Sequence, residues 1–91
     1  MHRYLVEHRV PHAGKLTAVE LKDIAQQSLL VQQSLGDGIQ WLQSVLTGDR
    51  MFCLYLAAEE GIVREHAWRS GLPIECISRV TAVIGPANNI L

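Results

Sequence analysis

The sequence predicts a small α+β domain whose elements follow the order βαββαβ. Three observations lead to this fold class. Four segments show the apolar patterns of β-strands, two segments repeat apolar residues every three or four positions as helices do, and 48% of only 91 residues are hydrophobic. Chains of this length form one domain, so residues 1–91 are taken as a single unit without an internal linker.

The first half of the chain predicts a strand followed by a helix. Residues 3–10 alternate between two faces, and Pro11 ends the strand because proline cannot donate a hydrogen bond to a sheet. Thr17 and Glu20 form a capping box, in which each side chain bonds the other residue's amide, and a helix begins there. Gly36 ends this helix. Its predicted inward face carries Leu21, Ile24, Ala25, Ser28, Val31 and Leu35.

The second half predicts a hairpin, a shorter helix and a last strand. Residues 39–47 and 51–57 are rich in β-branched, aromatic and aliphatic residues, and three turn-forming residues separate them. Residues 58–70 predict a helix with acidic residues at its start, and residues 76–84 predict a strand. The tail 87–91 has no periodicity and is expected to fray. This order is that of ferredoxin-like folds, in which a four-stranded antiparallel sheet carries two helices on one face.

Both faces of the predicted sheet are apolar. The third strand shows this most clearly, with Met51, Cys53 and Tyr55 on one face and Phe52, Leu54 and Leu56 on the other. Because the helices cover only one face, the second needs another cover. We expect a homodimer in which two sheets pack face to face around a ligand-sized space. The alternative is a monomer whose strand periodicity is misread.

Composition and motifs exclude several classes of function. Eight Lys and Arg against nine Asp and Glu, spread singly along the chain, form no basic stripe for nucleic acid. No apolar run is long enough to cross a bilayer, and the charged start does not form a signal peptide. We therefore expect a cytoplasmic protein with reduced thiols and with neither a membrane nor a nucleic acid as partner. The chain has no Gly-rich phosphate loop and no Gly-x-Ser-x-Gly, Cys-x-x-Cys or His-Glu-x-x-His motif, so no catalytic or organic-cofactor residue is assigned.

Several polar or soft side chains stand where apolar ones are expected. Glu7 lies mid-strand, where a carboxylate needs a cation, a proton or a hydrogen-bond donor, and Arg79 or Arg9 is its simplest partner. Cys53 is central in the most apolar strand, where it either fills space or acts as a thiolate ligand. His66, on the inward face of the second helix, is either a hydrogen-bonded core residue or a metal ligand.

A second group of polar residues has simpler explanations. Ser44 in the second strand is expected to bond a backbone carbonyl, and Tyr55 supplies buried area and a hydroxyl that needs a partner. His2, His8 and His12 cluster near the start of the chain and are expected at the surface, although Met1 and His2, together with the terminal amine, could chelate a divalent ion.

Three stretches of the chain, residues 3–7, 41–55 and 66–73, are together similar to a known family. The specific part of the likeness is the ordered set Glu7, Trp41, Ser44, Cys53, Tyr55, His66, Gly71 and Pro73. The chain resembles a family of small domains, formerly of unknown function, whose best-known member is a nickel-binding protein. Val45, which stands where the family pattern has an aromatic residue, and the histidines of the first loop depart from that pattern.

The resemblance implies a ferredoxin-like homodimer that binds Ni²⁺ and has no established catalytic activity. It does not identify the ligands, so these are chosen by chemistry. Glu7, Cys53 and His66 offer a carboxylate, a thiolate and an imidazole, which suit late first-row divalent metals, Cu²⁺ and Zn²⁺ included. Tyr55 and Ser44 are the expected hydrogen-bond partners behind these ligands.

Two other functions stay open from the sequence alone. Dimeric ferredoxin-like domains also host small-molecule oxygenases and isomerases, in which Tyr55, His66 and Glu7 would serve as acid, base and orienting group. In a plain interaction module, the same residues would belong to the core or to the rim of an interface.

Overall fold

The computed structural model describes residues 1–86 and confirms the predicted order of elements. The strands are β1 (His2–Arg9), β2 (Ile39–Leu46), β3 (Arg50–Ala57) and β4 (Ile74–Arg79), and the helices are α1 (Ala18–Leu35) and α2 (Glu60–Arg69). Two short 3₁₀ turns, Ala13–Lys15 and Gly36–Gly38, stand on either side of α1. The tail that was predicted to fray lies outside the described residues.

The four strands form one antiparallel sheet in the order β2-β3-β1-β4. In the central pair, Val6 of β1 lies opposite Cys53 of β3, and Tyr4 lies opposite Tyr55. The helices cover the face that carries these residues, while the other face, called the open face here, has no cover within residues 1–86. The predicted α+β ferredoxin-like fold is therefore confirmed.

The start of α1 is set by the predicted capping box. The Glu20 amide donates to the Thr17 hydroxyl at 3.2 Å, and the Thr17 amide donates to the Glu20 carboxylate at 3.1 Å. The helix ends at Gly36, whose φ of 77° lies in the region that favours glycine. Leu21, predicted to face inward, is instead 40% exposed. Within residues 1–86, neither helix is long and apolar enough to cross a membrane.

The last strand differs from the predicted span of 76–84. β4 begins at Ile74 and ends at Arg79, and within 80–84 only Ile84 forms an isolated bridge. The reason is the length of the neighbouring strand: the Val80 amide still donates to the Arg3 carbonyl at 2.8 Å, but β1 begins only one residue before Arg3. The chain beyond residue 80 therefore has no ladder left to join.

The hydrophobic core lies between the helices and the covered face of the sheet. Its central cluster consists of Tyr4, Val6, Ile39, Met51, Cys53, Tyr55, Ala57 and Val63. Along β3, buried residues alternate with half-buried ones, as the sequence predicts for a strand with one covered face. The half-buried residues Phe52, Leu54 and Leu56 lie on the open face.

The edge strand β2 contains a bulge. Its pairing with β3 shifts between Trp41 and Gln43, so that Leu42 is an extra residue. The Trp41 amide donates to the side-chain oxygen of Gln32 on α1 at 2.8 Å. The extra residue changes the alternation of faces along β2, and Ser44 consequently lies opposite Cys53.

Candidate functional site

Four of the five predicted site residues lie on the covered face of the sheet. Cys53 and Tyr55 are two residues apart on β3, Ser44 pairs with Cys53 from β2, and His66 comes from α2. Cys53, Tyr55 and His66 are 1–2% exposed, so this is an interior cluster, referred to below as the buried cluster. The structure thus brings together the thiol, the phenol, the hydroxyl and the imidazole.

Ser44 connects Cys53 to the edge of the sheet. The Trp41 indole N–H donates to the Ser44 hydroxyl at 2.9 Å, and that hydroxyl donates to the Cys53 sulfur at 3.0 Å. The sequence suggested a backbone carbonyl as the Ser44 partner, whereas both partners are side chains. Ser44 thus bonds Cys53 directly, and its role behind a metal ligand stays a prediction.

His66 connects Tyr55 to α1. Its Nε2 lies 3.1 Å from the Ser28 carbonyl oxygen, and its Nδ1 lies 3.4 Å from the Tyr55 hydroxyl. A carbonyl can only accept a hydrogen bond, so Nε2 carries the proton and Nδ1 presents a lone pair to Tyr55. Cys53 and Tyr55 lie two residues apart on the same face of β3, so the thiol and the phenol are neighbours in the core.

Burial keeps the ionisable groups of the cluster neutral. It raises the pKa of the Cys53 thiol, although hydrogen bonds from Ser44 and Tyr55 oppose this shift. It also raises the pKa of the Tyr55 hydroxyl and lowers the pKa of the His66 imidazole. A neutral imidazole is ready to bind a metal ion, whereas the thiol must first lose its proton.

Glu7 lies on the open face, on the other side of the sheet from Cys53. It pairs with Phe52 in the ladder, and its carboxylate lies 3.7 Å from Nε of Arg50. Nη1 of the same arginine lies 3.1 Å from the Glu75 carboxylate. The partner is therefore Arg50 and neither Arg79 nor Arg9, the two arginines expected from the sequence. Within one subunit, Glu7 and Cys53 therefore lie on opposite faces of the sheet.

The donor atoms are not yet assembled into a coordination sphere. Among residues 1–86, no group of three or more His, Cys, Asp or Glu side chains is placed to hold a metal ion. The candidates are thus a buried pair, Cys53 and His66, with Tyr55 between them, and a separate carboxylate on the open face.

His8 is an interior residue that the sequence analysis missed. It was expected at the surface, but its side chain is 0% exposed, and of the three early histidines only His12 is exposed. The reason is its position on β1: it has the same parity as Tyr4 and Val6, both of which face the core. That parity is visible in the sequence and would have identified it.

Comparisons with known proteins give one family and one solved structure. The family described as nickel responsive protein SCO4226-like matches residues 4–80. The chain is also similar to the crystal structure of SCO4226 from Streptomyces coelicolor A3(2), with 20% sequence identity and a TM-score of 0.73 over 87% of this chain and 95% of that one. None of the curated proteins matches. The structural likeness supports the fold, and the family match runs from residue 4, within β1, to residue 80, just after the end of β4.

Proposed function

Because this chain belongs to the family of nickel responsive SCO4226-like proteins, we propose that it is a small homodimeric protein that binds a divalent metal ion, first of all Ni²⁺. The family match over residues 4–80 is the observation that carries the proposal. The donor chemistry supports it, since imidazole nitrogen and thiolate sulfur suit the late first-row metals, among which Cu²⁺ and Zn²⁺ would compete. No catalytic step is assigned.

Cys53 and His66 are the first ligands of the proposal. His66 contacts the Tyr55 hydroxyl through Nδ1, and Cys53 lies two residues from Tyr55 on the same face of β3, which places both donor residues next to one side chain. Tyr55 and Ser44 would orient the ligands by hydrogen bonds, as residues behind metal ligands commonly do. Because burial holds the Cys53 thiol protonated, metal binding would release a proton, and affinity should rise with pH.

Glu7 has a different place in the proposal. Its carboxylate lies on the open face, so it can bind only an ion held at that face, not one held by Cys53 of the same subunit. Its ion pair with Arg50 is the competing role, since a carboxylate already beside a guanidinium is satisfied without a metal.

The open face supports the homodimer. Leu5 is 42% exposed and Val45 54% exposed, and they share this face with the half-buried residues Phe52, Leu54 and Leu56. Contiguous apolar surface of this kind is typical of an interaction site. Because the same patch exists on every copy, two chains can cover each other's sheets around a two-fold axis.

Calorimetric titration with Ni²⁺ tests the metal proposal. Untagged, dialysed wild type is compared with Cys53→Ala, His66→Ala and, as a matched thiol control, Cys76→Ala on the exposed side of β4. We expect saturable heat from the wild type and from the control, and a loss of binding in the other two variants. Equal heats from all four proteins would remove the proposed ligands, and no heat from the wild type would remove metal binding itself.

A further inference from the structure

Positive charge gathers at one corner of the sheet, where β1 begins and β4 ends. The two strands are antiparallel neighbours, with Tyr4 of β1 opposite Arg79 of β4. Their ends surround an open cavity of about 500 Å³, called the corner cavity here. Its lining consists of Met1, His2, Arg3, Arg79, Val80 and Thr81. These side chains include two arginines and no carboxylate.

Arg79 is bonded to His2 in a way that leaves its positive charge unbalanced. Nη2 of Arg79 donates to Nδ1 of His2 at 2.8 Å. Because an arginine nitrogen can only donate, Nδ1 of His2 holds the lone pair and Nε2 carries the ring proton. Loss of hydration and the positive charges of Arg79 and the terminal amine lower the pKa of His2, which favours the neutral ring. The imidazole thus accepts the hydrogen bond without supplying a negative charge.

The two corner arginines differ from those that are balanced by carboxylates. Arg50, Arg64 and Arg69 each pair with a glutamate. In the part of the chain that the structure describes, no carboxylate pairs with Arg3 or Arg79. The remaining sequence, Ala-Asn-Asn-Ile-Leu, contains no acidic side chain. Two unbalanced guanidinium groups at one cavity create a positive potential that attracts an anion.

We propose that the corner cavity binds a phosphate group, either as inorganic phosphate or as part of a small phosphomonoester. The guanidinium of Arg79 can bond two phosphate oxygens at once. The Nε2–H of His2 and the Thr81 hydroxyl supply further donors at the same cavity. Donors on three side chains suit a tetrahedral oxyanion, which offers more acceptor oxygens than a carboxylate. The site shares no residue with the buried cluster and does not depend on metal binding.

The corner cavity stays accessible in the proposed homodimer. His2 and Arg79 lie on the side of the sheet that carries Tyr4, whereas the dimer is proposed to form through the open face. On that side Arg79 is exposed and His2 is half-buried. Arg3 has the opposite parity, so its role is to add positive charge. An anion can therefore reach Arg79 and His2 without separating the subunits.

Titration of the wild type with inorganic phosphate tests the proposal. Untagged, metal-free, ¹⁵N-labelled protein is followed by amide chemical shifts, with the ionic strength held constant by sodium chloride. We expect shifts that saturate and that are largest at His2, Val80 and Thr81. Acetate should bind at least about tenfold more weakly, because it offers fewer oxygens to the donors. Shifts that fail to saturate, or that spread evenly over the surface, would overturn the proposal.

A second arm of the titration distinguishes the two sources of the phosphate group. Glycerol 3-phosphate replaces inorganic phosphate under the same conditions. Tighter binding of the ester would support a phosphomonoester as the ligand, and equal or weaker binding would support the free anion. Absence of saturable binding of both probes would overturn the site.

Matched arginine variants separate a binding site from an effect of net charge. Arg79→Gln removes the proposed guanidinium contact, while Arg9→Gln removes the same charge from the far end of β1, where Arg9 is exposed. We expect Arg79→Gln to weaken phosphate binding by at least about tenfold, because hydrogen bonds between charged groups are the stronger class. Binding to Arg9→Gln should stay unchanged. Equal weakening in both variants, or none in Arg79→Gln, would show that the corner cavity is not a phosphate site.

Discussion

The Tyr55 hydroxyl lies 3.4 Å from Nδ1 of His66, and the two rings are tilted by 59° with centroids 5.1 Å apart. This contact joins the sheet to α2 in the interior, and His66 extends it to the Ser28 carbonyl of α1. Two residues before Tyr55 on β3, Cys53 accepts a hydrogen bond from Ser44 of the edge strand. Removing one polar group leaves its neighbour unsatisfied in the core, which destabilises the fold.

Replacing Tyr55 by phenylalanine removes the hydroxyl of this contact. We expect the free energy of unfolding to fall by about 1–2 kcal/mol, because His66 loses its buried partner at Nδ1. Urea unfolding followed by circular dichroism measures the change. Tyr4→Phe is the matched control, since the Tyr4 hydroxyl makes no hydrogen bond within residues 1–86, and it should stay within about 0.5 kcal/mol of the wild type. Equal losses in both variants would contradict the assigned role of Tyr55.

Stability should decrease with acid because of the two buried histidines. Burial lowers the pKa of both His8 and His66 below the value of about 6.5 that they have in the unfolded chain. Above that pH both states are neutral and stability is complete. Below it, the unfolded chain binds protons that the native state does not, and stability falls by up to about 1.4 kcal/mol per pH unit for each histidine, until the native pKa is reached.

Urea midpoints between pH 7.5 and pH 5 measure this dependence. His66→Gln should reduce the slope, and His12→Gln, at an exposed site, should leave it unchanged. A midpoint that stays constant over this range in the wild type would show that neither imidazole is held neutral.

The two thiols should differ in their reaction with a disulfide reagent. Cys76, opposite Glu7 on the open face, is exposed in the single subunit and should react at once in protein diluted to monomers, while Cys53 is 2% exposed, has a raised pKa and should react only when the core opens. We expect Cys53 to react at least about a hundredfold more slowly, since each 1.4 kcal/mol of opening free energy slows the reaction tenfold. In Cys76→Ala, only the fast phase of the reaction should disappear. Two fast-reacting thiols in the wild type would mean that the buried cluster is accessible to the reagent.

A charge placed on the open face should prevent dimerisation. Leu54→Glu puts a carboxylate near its own copy in the proposed interface and buries it without a partner, so the dimer should dissociate. Sedimentation equilibrium measures the mass. Leu30→Glu, on α1 where Leu30 is 62% exposed, is the control and should leave the mass unchanged. A wild-type mass of a single chain of 10.1 kDa would contradict the homodimer.

Local signals explain why most of the fold was predictable. The capping box at Thr17 and the alternation along β3 depend only on neighbouring residues, so the sequence shows them directly. The end of β4 depends instead on where β1 begins, far away in the chain. The apolar residues beyond Arg79 continue the strand pattern without a strand to pair with, and the predicted span was therefore too long.

The buried cluster was predictable only where it depends on residues that are close together in the chain. Tyr55 shares a face with Cys53 by simple alternation, but the position of Ser44 depends on the bulge at Leu42, which no residue pattern announces. Glu7 was grouped with Cys53 because the sequence does not say which faces of two strands coincide. The register that pairs Val6 with Cys53 decides this, and it places Glu7 on the other side.

The bulge in β2 has a consequence for solubility. Exposed strand edges with free amides recruit further chains and promote fibril growth. Here the ladder of the edge strand is interrupted at Leu42, and the amide of Trp41 is already bonded to the Gln32 side chain, so an incoming strand meets a kinked edge with one donor withdrawn. Polymerisation along this side of the molecule is thereby disfavoured.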